Sequence, residues 1–345
     1  MKRLAILGSI VAAGLMAAGL SAQQGPPAGA RPAGNPLPGI TDIEKVTDNV
    51  YKIFGGGGNT TFFVRSDGVV LVDTKLPSQG AAILAKVREV TDKPVTMIIN
   101  THSHPDHLGS NTEIDTARGG VQVVVQANTA GRMAAMPSNN RVSQSFDERL
   151  TLGSGADQID LYWFGPAHTD GDAFIVFPAE QVLLMGDVMA WDMGLLVDPN
   201  SGGSMVATPV TVGRLAETVT GIDKVVEGHG HVIPWSGLLR YLAYTQKVVE
   251  VARRGNEEGL DYEQAYDRYF AADPAMAPYT GEQLKPGLEY GGTPRSRSHN
   301  NIYVAMLELR GEQVPLIMGA PPRPGESPPT TPGGGPRPAG ERGAP

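Results

Sequence analysis

The chain has 345 residues, 36 acidic against 28 basic side chains, a formal net charge of −8 and 41% hydrophobic residues, enough apolar material for one large globular domain with an appendage or for two small ones. The acidic balance, without any long basic run, argues against nucleic-acid binding, which needs clustered Lys and Arg. The absence of cysteine excludes disulfides and Cys-ligated metal, so metal ligands would have to be His, Asp or Glu.

Met1-Lys2-Arg3, the apolar run 4–20 and the small pair Ser21-Ala22 have the three-part form of a secretory signal peptide over residues 1–22. Cleavage near Ala22 predicts a periplasmic or secreted protein with no stable membrane association. An uncleaved run would instead anchor the chain, since it approaches spanning length. Residues 23–40 and 319–345 are rich in Pro and Gly and read as a disordered linker and tail. The folded part is therefore a main domain over 41–235 with a C-terminal helical extension over 236–318.

Residues 50–54, 60–64 and 69–73 read as strands, with Asp67-Gly68 turning between the last two. Gly55 to Gly58 joins two strands and has no following Gly-Lys-Ser/Thr, so it is not a phosphate cradle. It is either a mobile loop over a pocket or a plain flexible connection. Ile83, Leu84, Val87 and Val90 recur at helical spacing and predict a helix over 78–91, which returns the chain to a buried strand over 95–100.

That strand runs into Thr101-His102-Ser103-His104-Pro105-Asp106-His107, three imidazoles and a carboxylate in one short stretch. In an extended segment, residues two apart share a side, so His102 and His104 can converge on one ion. Pro105 keeps His104 out of the helical region and opens a helix whose first turn carries Asp106 and His107 towards a second ion. A short helix to about residue 118, a strand over 121–126 and a helix over 127–136 follow.

A second series mirrors the first, with strands over 159–164, 173–177, 182–185 and 224–227 and a helix over 210–220. His168, Asp187 and His229 follow the first, third and last of these strands, in the loops where α/β folds place their sites. The amphipathic run 238–254, the capping pattern Asp261-Tyr262-Glu263-Gln264 and residues 296–310 predict helices at the C-terminal side.

His102, His104, Asp106, His107, His168, Asp187 and His229, in that order, resemble the metal ligands of the metallo-β-lactamase superfamily. The flanking residues match as well: Gly165-Pro166-Ala167-His168-Thr169, Leu184-Met185-Gly186-Asp187 and Glu227-Gly228-His229-Gly230. The resemblance covers roughly residues 49–235 and implies an α/β fold, a four-layer αβ/βα sandwich of two similar halves. It also implies that His102, His104 and His168 bind a first metal, that Asp106, His107 and His229 bind a second, and that Asp187 bridges them. Zinc is the ion implied, two per chain, with iron or manganese as alternatives; a hydroxide held between the ions would be the nucleophile, and Asp106 would orient it or relay a proton.

Five of the seven histidines fall on the pattern. His231 competes with His229, but the Glu-Gly-His-Gly context favours His229. Asp73, by resemblance, supports the metal loop through hydrogen bonds. Asp170 and Asp172 are either similar supports or turn formers, Trp191 is either a substrate contact or a core residue, and His299 reaches the pocket rim or is an ordinary helix residue. Asp187 stands where cysteine-using β-lactamases have Cys and another exported lactamase group has Ser, which points to the general hydrolase branch. The expectation is an exported dinuclear zinc hydrolase of a small ester, lactone or amide, a class that includes β-lactams. Fold does not fix reaction, and the superfamily also holds sulfatases, nucleases, thioester hydrolases and mononuclear iron sulfur dioxygenases; the last two are the alternatives.

Overall fold

The central strands of this chain are buried on both faces, and that property dictates a layered structure with helices outside and two sheets within. A computed structural model describes residues 39–136, 141–190, 194–280 and 296–316. The expected signal peptide, most of the expected linker, the expected tail and Trp191 lie outside the described residues.

The first half runs through β1 (Ile43–Lys45), β2 (Val50–Ile53), β3 (Thr60–Val64), β4 (Val69–Val72), α1 (Gly80–Arg88), β5 (Val95–Ile99), α2 (Pro105–Leu108), α3 (Asn111–Arg118), β6 (Gln122–Gln126), α4 (Ala127–Ala134) and β7 (Gln144–Phe146). Its seven strands form one sheet in sequence order, antiparallel up to β4 and parallel from β4 to β7. The second half runs through β8 (Arg149–Leu152), β9 (Ile159–Tyr162), β10 (Phe174–Phe177), β11 (Val182–Leu184), α5 (Thr208–Thr218), β12 (Lys224–Val226) and β13 (Val232–Pro234). With β8 at one edge and β13 at the other, these make a six-stranded sheet in which β11 and β12 are the parallel pair. The extension consists of α6 (Trp235–Glu258), α7 (Tyr262–Ala265), a π-helical turn over Tyr266–Phe270 and α8 (Arg297–Leu309).

Three apolar layers hold this arrangement. Between the sheets, Phe63, Val70, Val72, Ile99 and Val124 meet Ile175, Phe177, Val182 and Leu184, and the Phe63 and Phe177 rings stack at 4.7 Å. Because successive strand residues point to opposite faces, Phe62, Leu71, Ile98 and Val123 face outward and bury Ile83 and Val87 of α1, Ile114 of α3 and Met133 of α4. On the far side, Phe174, Val176, Leu183 and Val225 pack under α5, α6 and α8 through Val212, Leu215, Leu238, Tyr244, Val248 and Ile302. The αβ/βα sandwich expected from the sequence is the fold observed, with the C-terminal helices laid on its second sheet.

The main elements fall within a few residues of their expected positions. Four short strands, β1, β7, β8 and β13, were not expected. Among the described residues no helix is long and apolar enough to cross a membrane.

Candidate metal centre

The site lies beyond the C-terminal ends of β4, β5, β11 and β12, the edge at which parallel strands release their loops. His104 is extended (φ −74°, ψ 146°) and caps α2, with Pro105 as the first helical residue, so Asp106 and His107 turn away from the strand direction as expected. Asp187 follows β11 in a single 3-10 turn over Gly186–Val188, and His229 lies in the turn between β12 and β13.

The fold brings all seven expected ligands together. Their donor atoms form three groups, His102 with His104 and His168, His102 with His107 and Asp187, and Asp106 with His107 and His229, each with all donors within 4.8 Å of one another. His104 Nδ1 lies 2.9 Å from His168 Nε2, and His107 Nε2 lies 3.3 Å from His229 Nε2. Asp187 stands between the pairs, with Oδ1 3.2 Å from His107 Nε2 and Oδ2 3.4 Å from His229 Nε2 and 3.9 Å from His168 Nε2. Asp106 Oδ2 is 3.2 Å from His229 Nε2.

The hydrogen bonds on the far side of each ring decide what faces inward. Asp73 accepts from Thr101 N at 2.8 Å, from Thr101 Oγ1 at 2.7 Å and from His107 Nδ1 at 2.7 Å. Since the Thr101 hydroxyl proton is used on Asp73, its oxygen accepts from His102 Nδ1 at 2.9 Å. His168 Nδ1 donates to the Leu196 carbonyl, and His104 Nε2 donates to Asp198 Oδ2 at 2.8 Å. In neutral imidazoles this leaves lone pairs on His102 Nε2, His104 Nδ1, His107 Nε2 and His168 Nε2, all directed into one space. Lone pairs face each other at 2.9 Å, and His102 Nε2 and Asp187 Oδ1 are buried without a hydrogen-bond partner. A cation satisfies both conditions, so the residues present fit a metal ion.

Electrostatics agree. Burial, reinforced by the neighbouring rings, holds His102 well below the ordinary histidine range and His168 down to about 4, so both remain neutral donors. Burial works against the charges of Asp187, Asp106, His107 and His229, but the opposite charges around them prevail. His107 rises well above the usual range beside Asp187 and Asp73, and His229 rises to about 9 chiefly through Asp187. Asp106 falls to about 2 through His229 and His107, and Asp187 falls well below the carboxylate range. The cluster thus holds two carboxylates and, without an ion, draws protons onto His107 and His229.

Of the residues outside the ligand set, Asp73 supports the metal loop as described. His231 is exposed, and its backbone N–H donates to Glu227 Oε2 at 3.1 Å; His229, not His231, lies in the cluster. His299 shares a capping box with Ser296 and stacks on Tyr266 at 3.6 Å. Asp170 pairs with Arg132 at 2.6 Å, and Asp172 accepts from Thr169 N at 2.9 Å; neither contacts a ring of the cluster. Gly55 to Gly58 lies over the cluster and is held by several hydrogen bonds. Gly58 N donates to Asp106 O at 3.0 Å, Leu76 N donates to Gly56 O at 3.0 Å, and the buried Lys75 ammonium bridges the Ile53 and Gly58 carbonyls at 2.8 Å each. A Cβ at Gly58 would sit 2.5 Å from His107 Nε2, so only glycine lets this loop close over the ring.

Sequence reasoning missed Asp198, Lys75 and the Leu196 carbonyl. Asp198-Pro199-Asn200 reads only as a turn, and Asp198 does accept from Asn200 N at 2.9 Å. Its contact with His104 arises from tertiary folding.

A two-sheet αβ/βα sandwich with a His and Asp cluster at its strand ends defines a class of metal-site proteins, and comparison with known proteins gives the family. A sequence profile described as the Metallo-beta-lactamase superfamily matches residues 53–218. The "Metallo-beta-lactamase type 2" of Elizabethkingia meningoseptica is 27% identical over 173 residues, covering 45% of this chain and 66% of that protein. The "2,4-dinitroanisole O-demethylase subunit alpha" of Nocardioides sp. (strain JS1661) is 29% identical over 164 residues, covering 45% of this chain and 49% of that protein. The chain thus spans less than two thirds of the length of both relatives. The solved structure of a metallo-beta-lactamase from Pontibacter korlensis superposes with a TM-score of 0.53 at 22% identity, over 60% of this chain and 99% of that one, a likeness of fold. Over residues 53–218 the chain matches the metallo-β-lactamase superfamily in sequence, and its fold is that of the superfamily.

Proposed function

We propose that this protein is an exported hydrolase that uses two zinc ions to cleave a small ester, lactone or amide. The observation that carries the reading is the inward convergence of imidazole lone pairs on two sides of Asp187, with no cysteine in the chain. His102, His104 and His168 would hold one ion, Asp106, His107 and His229 the other, and Asp187 would reach both. Imidazole and carboxylate together suit zinc, with iron or manganese as the competitors. Ions held there supply Lewis acidity and acidify water towards neutrality, which makes a nucleophile available at pH 7.

The chain's own residues set the remaining requirements. Asp106 is the catalytic carboxylate: its side chain is 30% exposed against 12% for Asp187, so it faces arriving substrate and solvent. As a carboxylate at the open side of the cluster it can orient water and relay a proton. The net charge of −8 supports a small-molecule partner over a nucleic acid. The basic start, apolar run and small pair of residues 1–22 support export.

Metal analysis of the full chain, joined to a panel of ester, lactone, β-lactam, thioester, phosphodiester, sulfate-ester and aryl methyl ether substrates, tests this reading. About two zinc ions and turnover of a carboxylic ester, lactone or amide are expected. One tightly bound iron with no zinc, and oxygen consumption with a persulfide, would sink it in favour of a sulfur dioxygenase. Asp106→Ala and His107→Ala should each abolish turnover and lose the second ion while the chain stays folded.

A further inference from the structure

We propose that Asp198 is a positioning residue that fixes the tautomer and ring orientation of His104, an inference that rests on the metal-centre reading above. His102, His107, His168 and His229 all turn Nε2 into the cluster, whereas His104 alone turns Nδ1 inward, towards His168 Nε2 at 2.9 Å. An imidazole that ligates through Nδ1 must carry its proton on Nε2, the outer nitrogen. The group bonded to that outer nitrogen therefore decides whether the inner lone pair exists.

At His104 that group is Asp198 Oδ2, 2.8 Å away, on a side chain only 9% exposed. A carboxylate offers no proton, so it selects the Nε2–H form. The carboxylate is itself held from several directions. Oδ1 accepts from Asn200 N at 2.9 Å, the backbone N–H donates to His168 O at 2.9 Å, and the carbonyl accepts from Gly203 N at 2.8 Å and Ser201 N at 3.1 Å. Gly203 in turn lies against the His168 carbonyl, where a Cβ would overlap it. Residues 196–203 thus form one rigid strip that orients both outer members of the first group, His168 through the Leu196 carbonyl and His104 through Asp198.

A plain turn-capping role for Asp198 would use Oδ1 alone. Asp198→Asn separates the two roles. The amide oxygen keeps the bond from Asn200 N, and the amide NH2 then points at His104 Nε2 and demands a lone pair there. The turn survives, but the His104 proton moves to Nδ1 and the ligand nitrogen is blocked.

The experiment is long-range 1H–15N NMR of the full chain before metal loading, with zinc affinity measured by chelator competition on the same samples. The wild type is expected to carry the His104 proton on Nε2. Asp198→Asn is expected to shift it to Nδ1 and to weaken one of two zinc sites by about 10- to 100-fold, with an unchanged melting temperature. Asp198→Ala, which removes the acceptor without adding a donor, is expected to give mixed tautomers and a smaller loss, and it stands in if the Asn variant does not fold. An Nδ1–H tautomer in the wild type, or zinc affinity within twofold of wild type in both variants, would overturn the proposal. Two bound ions and the expected tautomers without turnover of any panel substrate would instead defeat the hydrolase reading and leave Asp198 in its role.

Discussion

Gly58 tests how tightly the second ligand group is built. Its absent side chain is the space that the His107 ring occupies, and the loop cannot withdraw, because Lys75 and the Asp106 carbonyl hold it on both sides. Gly58→Ala should therefore push His107 off Asp73 or lift the loop, lowering metal affinity at that group by at least tenfold while the sandwich core stays intact. Calorimetric zinc titration alongside circular dichroism measures both quantities, and a variant with two sites of native affinity would show that the loop yields. At this scale the donors were legible in the sequence, because imidazoles and carboxylates at strand ends announce their chemistry locally. Asp198 and the Leu196 carbonyl were not. A turn acid and a backbone oxygen carry no mark of what the fold sets against them, and Gly58 showed its freedom but not its neighbour.

Among the elements, α8 is the distant part with a direct mechanical line to the site. Glu308, near its C-terminal end, accepts from Ser204 Oγ at 2.7 Å, Met205 N at 2.8 Å and Val206 N at 3.1 Å, so one carboxylate holds the strip that precedes α5. The same strip begins at Leu196 and Asp198 and is tied to the Ala167 carbonyl through Ser204 N at 2.9 Å. Glu308→Ala should cost about 1–3 kcal/mol in urea denaturation, since three donors lose one partly buried acceptor. It should also weaken zinc at the His102, His104 and His168 group more than at the other; equal weakening of both sites would argue against this line. The long elements were readable from apolar runs and helical spacing. Gln144–Phe146 and Arg149–Leu152 were not, because their side chains are largely exposed and no alternation of apolar residues marks them. They are strands because sheet edges offered them backbone partners.

For the molecule as a whole, two buried charges near the site make stability depend on pH in opposite senses on the two sides of neutrality. Burial raises Asp172 from 3.8 to about 7, so between those values the folded chain holds a proton that the unfolded chain has released, and stability falls as pH rises. Burial lowers Lys75 from 10.5 to about 7 despite Asp73, so between 7 and 10.5 the unfolded chain holds the extra proton and stability rises with pH. The summed contribution of this pair is therefore least favourable near pH 7. Asp172→Asn should flatten the denaturation free energy between pH 4 and 7, and Lys75→Met should flatten it between pH 7 and 10.5, each by up to a few kcal/mol across its window. Urea midpoints measured at half-unit steps of pH would expose either slope, and parallel curves for wild type and variant would show that the group titrates normally. Neither charge is needed to close the apolar layers. Asp172 instead accepts the backbone N–H that follows His168, and Lys75 pins the carbonyl of the glycine that covers His107. The fold thus carries a stability cost at neutral pH in the two places where a ring of the cluster must be held still.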